Sequence, residues 1–140
     1  MINEKVLLWL KKLTKNYSVV ICVGGSSQIN EAFGKVGFPI SKFGPLGREL
    51  ENLKEKQLAK DVLEKNKTKI QSLLKKFEIK AKIVIPVLNI SGVLCHLNAD
   101  QFVLSAYLGF DDLYVITTKE RFAEKKKKFA SYPKIQVVGF

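Results

Sequence analysis

The chain has 140 residues, 46% of them hydrophobic and 26% charged, which is one globular domain over residues 1–140 and neither a disordered nor a collagenous composition. No run approaches the roughly 20 apolar residues of a membrane-spanning helix, and a start of Met-Ile-Asn-Glu is not a secretory leader, so a cytoplasmic location is expected. Lysines and arginines outnumber acids by 24 to 13, a net +11 that favours anionic partners. Acidic and basic groups interleave between residues 48 and 80, as on a solvated helix, and only Lys125–Lys128 forms a block. The block reads as part of a solvated lysine-rich surface rather than as a nucleic-acid patch; a small carboxylate or phosphate ligand is expected, and nucleic acid is not.

From Glu4 to Lys15 the apolar residues Val6, Leu7, Leu10 and Leu13 fall at helical spacing, with Trp9 beside them. Val19–Val23 is continuous and β-branched, the pattern of a parallel strand buried on both faces. Its end, Gly24-Gly25-Ser26-Ser27, leads into a helix with Ile29, Ala32, Phe33 and Val36, closed by Gly37 and Pro39. A loop, FPISKFGPLG, precedes a long helix expected from Arg48 to Phe77, whose stripe runs Leu50, Leu53, Leu58, Val62, Ile70, Leu73, Leu74 and Phe77. So long a helix exceeds what one small sheet covers, and a homodimer through it is expected. Ile83–Leu88 reads as a second buried strand, returning through the turn Asn89–Gly92 along Val93–Leu97. Residues 98–109 form a helix with Asn98 as its N-cap and Gly109 as its stop. Leu113–Thr117 is a third central strand, followed by a short basic helix and a last strand, Ile135–Val138. Strands separated by helices make an α/β protein with a mostly parallel sheet.

In such a sheet ligands sit at the carboxyl ends of the strands, which directs attention to Gly24–Gln28, Asn98–Asp100 and Thr117–Thr118. The glycines let backbone N–H groups approach an anion, and Ser26, Ser27 and the following helix N-terminus add donors; a plain strand-to-helix turn is the alternative. Asp100 falls in the first turn of its helix, where the dipole favours a carboxylate regardless of function. Beside a phosphate it would repel, so a functional Asp100 orients lysines or a metal. Arg48 reads as a carboxylate clamp or as a surface arginine at a helix start. His96, the only histidine, fits a hydrogen-bonded structural role, and Cys22 and Cys95 fit buried free thiols without metal spacing.

The stretch GGSSQINEAFGKVGFP resembles the glycine-rich loop and Gln-Ile-Asn helix of the amino acid kinase family, and of acetylglutamate kinases within it. LNADQFVLSAYLGFDDLYVITT resembles that family's Asn-Ala-Asp helix and the strand after it, with a long arginine-led helix between the two motifs. The resemblance covers about residues 3–118. It implies a three-layer αβα sandwich, a homodimer, and ATP- and Mg2+-dependent phosphorylation of a small carboxylate to an acyl phosphate. It also implies that Gly24 and Gly25, with Ser26 and Ser27, hold the transferred phosphoryl group. Arg48 and Asn98 would bind the substrate, and Asp100 would orient two catalytic lysines. The family's Lys-x-Gly-Gly strand and nucleotide-binding half have no counterpart in these residues, Val23 stands where members often carry histidine, and both catalytic lysines stay unassigned. The expectation is a truncated or divergent acid-binding half. Its rivals are a non-catalytic small-anion-binding or regulatory module and a basic nucleic-acid-binding protein.

Overall fold

A computed structural model describes residues 2–140 as a mixed α/β protein of five helices and eight short strands. The chain divides into two compact units, Met1–Ala99 and Asp100–Phe140.

In the first unit, α1 (Glu4–Leu13) starts where the Asn3 side chain accepts a hydrogen bond from the Val6 N–H, and it buries Val6, Leu7 and Leu10. The strand β1 (Val19–Cys22) leads to α2 (Ser26–Val36), which ends at Gly37. Two short strands, β2 (Lys42–Phe43) and β3 (Arg48–Glu49), pair antiparallel across the Gly44–Gly47 loop. Next comes α3 (Leu53–Lys76), 24 residues and about 36 Å long. The strand β4 (Ala81–Val84) pairs parallel with β1, and β5 (Val87–Ile90) with β6 (Val93–His96) forms an antiparallel hairpin. Its two-residue turn, Ser91 at φ 51° and Gly92 at φ 86°, has the positive φ pair that matches strand twist. The core of this unit is the α2–α3 contact: Ile29 and Phe33 against Ala59 and Leu63, with Phe38 set edge-on to Phe33.

In the second unit α4 (Ala99–Ala106) precedes β7 (Leu113–Thr117), α5 (Lys119–Lys128) and β8 (Ile135–Gly139). β7 and β8 pair parallel over five residues, so α5 is the crossover of a β-α-β unit. Leu113, Val115, Phe129 and Ile135 form its core, with Val103, Leu104 and Tyr107 of the preceding segment packed on it.

Three expectations change. The long helix begins at Leu53, not Arg48; Arg48 lies in β3, and Leu50 reaches the α2–α3 core from the intervening loop. The expected strand Ile83–Leu88 is two strands broken at Ile85–Pro86, because Pro86 has no N–H to continue a ladder and the Val87 N–H turns back to the Ile85 carbonyl at 2.8 Å. Nor is β1 buried on both faces: Val20 is 37% exposed. The hydrogen-bonded ladders form four two-stranded sheets, two parallel and two antiparallel. Of the apolar stripe expected on α3, the motive for a homodimer, Leu74 is buried within its own unit, Leu58, Val62, Ile70 and Leu73 are half-buried and Leu53 is exposed, while the helix also buries Ala59 and Leu63.

Candidate functional site

The Gly-Gly-Ser-Ser segment occupies the end of β1 and the first turn of α2. Gly25 is the N-cap residue, and no side chain caps the helix. A Cβ at Gly25 would lie 2.4 Å from Asn66 Nδ2 and 3.2 Å from Leu63 Cδ2, both on α3, so the glycine lets the two helices close together. Asn66 Nδ2 also donates to the Gly24 carbonyl at 3.3 Å. Gly24 itself has open space where a Cβ would be. The packing role therefore belongs to Gly25, and the solvent-facing backbone belongs to Gly24, Ser26 and Ser27, all exposed.

Arg48 is the centre of the first unit's chemistry. The residue is 8% exposed, and its guanidinium makes four hydrogen bonds, all to neutral oxygens. One nitrogen donates to Asn30 Oδ1 at 2.8 Å and Ser41 Oγ at 3.2 Å, and the other to Ser26 Oγ at 3.0 Å and the Ser26 carbonyl at 3.2 Å. The Phe43 ring lies 4.5 Å from it. Among the described residues no carboxylate pairs with it. Burial draws its pKa below the ordinary arginine value, yet a guanidinium does not lose its proton in proteins. The unit thus holds a guanidinium whose terminal N–H groups are all taken by neutral oxygens, with no ion-pair partner among the described residues.

Arg48 is also among the residues lining a half-open depression of about 490 Å3, together with Leu46, Lys56, Leu94, His96 and Leu97. The loop wall is held close to β6: Gly47 bridges to Leu97, and the Asn98 N–H donates to the Leu46 carbonyl at 3.0 Å. A Cβ on Gly47 would stand 2.3 Å from the His96 carbonyl oxygen and 2.7 Å from Asn98 N. The Asn98 side chain donates to the Pro45 carbonyl at 3.3 Å, which fixes it to this loop. His96 Nε2 sits 3.0 Å from the Lys56 carbonyl. A carbonyl only accepts, so Nε2 carries the proton, and Nδ1 is a buried lone pair with no partner. Burial, with the nearby charges of Arg48 and Lys56, pushes the imidazole pKa down and outweighs the Lys56 hydrogen bond that raises it.

In the second unit Asp100 sits in the first turn of α4 and accepts from two ammonium groups of α5, Lys125 at 2.5 Å and Lys128 at 2.6 Å. Lys125 is buried, while the Lys128 side chain is 43% exposed. Burial raises the Asp100 pKa, but the hydrogen bonds and charges of the two lysines outweigh it and hold the carboxyl below its ordinary range. One negative charge between two positive ones leaves a net cationic cluster, and an ammonium has three donors, of which Asp100 uses one from each.

The structure therefore joins Ser26 to Arg48 and Asn98 to the Arg48 loop, and it gives Asp100 two lysines from the Lys125–Lys128 block. Nothing in the sequence points to Asn30, Ser41 or Phe43 as partners of Arg48, since no periodic signal marks them. The lysines are legible in part: Lys125 and Lys128 are three apart, one face of a helix. The Cys22 thiol, pushed up to about 12 by burial, is inert at neutral pH. No protein-family model, curated protein or solved structure matches the chain.

Proposed function

We propose that this chain is a small-acid-binding protein of amino-acid-kinase type, in which Arg48 holds the carboxylate of an acid that receives a phosphoryl group. The observation that carries the reading is the guanidinium of the buried Arg48, whose hydrogen-bond partners are all neutral. Asn30, Ser41 and Ser26 take up its four terminal N–H groups without cancelling its charge, so an incoming carboxylate would meet the Nε–H or displace a serine hydroxyl. Asn98 secures the loop beside it. Gly24, Ser26 and Ser27 offer the exposed first turn of α2 to a second anionic group.

Within the second unit, Lys125 and Lys128, oriented by Asp100, suit phosphoryl oxygens: two donors of fixed position and a net positive charge. ATP bound with Mg2+ would supply the transferable phosphoryl group. Among the described residues no three His, Cys, Asp or Glu side chains gather as metal ligands, so the chain's own side chains do not fit a Mg2+ cage. What these residues do is bind, orient and neutralise, the larger part of phosphoryl transfer.

Asn30→Asp tests the reading without emptying the site. The new carboxylate would lie where Asn30 Oδ1 now accepts from Arg48 at 2.8 Å, turning a neutral hydrogen bond into an ion pair. Stability should rise by about 1–2 kcal/mol, while calorimetric binding of N-acetylglutamate and of alkanoates should fall at least tenfold. Unchanged acid binding in a more stable variant would overturn the assignment of Arg48. For the second unit alone, calorimetric binding of ATP is the readout: Lys128→Ala should weaken it at least tenfold, and an unchanged affinity would remove the phosphate-binding role of the lysine pair.

A further inference from the structure

The positive charge of the first unit is gathered at one end. Seven lysines and one acid fall between residues 65 and 82. Lys11 and Lys12 lie in the last turn of α1, and Lys15 follows it. Outside these two stretches the unit carries equal numbers of acidic and basic side chains. The fold brings the two together. Lys11 Nζ lies 3.9 Å from Glu78 Oε2, and β1 runs parallel to β4 with Val19 opposite Ala81, so the segments entering the two strands lie side by side. Lys75, Glu78 and Lys80 line a half-open depression of about 430 Å3 there. Along α3, Lys65, Lys69 and Lys76 share one exposed face and continue the charge for about 16 Å. Two aromatic rings stand out at the same end: Tyr17, 60% exposed just ahead of β1, and Phe77, 38% exposed at the C-cap of α3.

We infer that this end of the first unit binds single-stranded nucleic acid, its lysines taking the phosphates and Tyr17 and Phe77 stacking on unpaired bases. Charge complementarity selects a polyanion, since Glu78 is the one acid among the lysines and neutralising a phosphate strand releases its counterions. The rings select a single strand, because the bases of a duplex offer them no face. A lipid surface fits less well: every exposed residue of α3 between Lys65 and Lys76 is polar, with nothing to insert. The patch is not the Lys125–Lys128 block, two of whose lysines are held by Asp100. It also lies at the opposite end of β1 from Gly24 and Ser26, so the inference stands apart from the acid-binding reading.

Fluorescence anisotropy of a labelled oligothymidylate of about 15 nucleotides, titrated with the full chain, tests this. The strand should bind at least about fivefold more tightly than a duplex of equal length. Log affinity should fall with log salt by about 0.7 per phosphate neutralised. Lys75→Gln combined with Lys76→Gln should weaken binding at least about fivefold and flatten that slope by about one. Tyr17→Ala should weaken it by a similar factor and leave the slope as it is. Lys126→Gln combined with Lys127→Gln removes the same charge from α5, where both side chains are exposed, and should change nothing. The inference is overturned by no binding, by equal affinity for the duplex, by equal losses from the two lysine pairs, or by a Tyr17→Ala protein that binds like the wild type. Displacement of the oligonucleotide by phosphatidylserine vesicles of equal negative charge also overturns it and assigns the surface to a membrane.

Discussion

His96 makes its environment measurable. With Nε2 committed to the Lys56 carbonyl and Nδ1 buried without a donor, the folded protein resists a second proton, and its imidazole pKa is lower folded than unfolded. Above about pH 6.5 both states carry neutral imidazole and the contribution to stability is complete. As pH falls below that value the unfolded chain gains a proton that the folded chain refuses, so stability is lost progressively through the depressed folded pKa. Asp100, also depressed, adds its own loss only in the more acidic carboxylate range. Urea denaturation at about pH 7.5 and about pH 5.5 should show the wild type weakening and His96→Gln weakening less, since glutamine keeps a donor for Lys56 and has nothing to titrate. Equal losses in both proteins would assign the acid sensitivity to other groups.

Among the elements, α2 and α3 carry the first unit, and their closeness depends on Gly25. Substituting alanine there drives a Cβ into Asn66 and Leu63, and the helices must separate. Gly25→Ala should cost about 1–3 kcal/mol in chemical denaturation, whereas Gly24→Ala, with open space around it, should stay within about 0.5 kcal/mol of wild type. A reversed order would remove the packing role of Gly25. The elements also show where sequence suffices. α2 and β7 fall almost where periodicity and glycine stops put them, because both signals are local. Arg48 reads as helical from the sequence because Leu50 completes a helical stripe from a loop. The pair Asn52 and Glu55 marks the true start, with Asn52 accepting from the Glu55 N–H and Glu55 from the Glu51 N–H. Pro86 likewise marks the break in the 83–88 run. The pairings of Arg48 with Asn30 and of Asp100 with Lys125 span 18 and 25 residues, and no local pattern encodes them.

At the scale of the whole molecule, charge governs behaviour in solution. A net +11 spread over 140 residues repels itself, and α3 carries much of it on its outer face. Sodium chloride should therefore raise the melting temperature by a few degrees through screening, and a flat or falling dependence would mean that attractive pairs outweigh the repulsion. Copies meeting along α3 would bring lysine-rich faces together, so a homodimer formed there should strengthen as salt is added, which light scattering at low and high salt reads directly.

The closure of the Gly44–Gly47 loop on β6 has a further consequence, for inheritance rather than for energy. At Gly47 the obstacle to any side chain is backbone, the His96 carbonyl and Asn98 N, and its φ of +156° is itself one that L side chains rarely adopt. At Gly44 the obstacle is the end of the Glu49 side chain, which can swing aside. Two glycines three residues apart in one loop thus differ in what mutation can do to them. In a saturation library selected for folded protein, Gly44 should tolerate several letters and Gly47 only one. Descendants of this sequence would vary the rim of the depression freely while its hinge to β6 keeps the same residue.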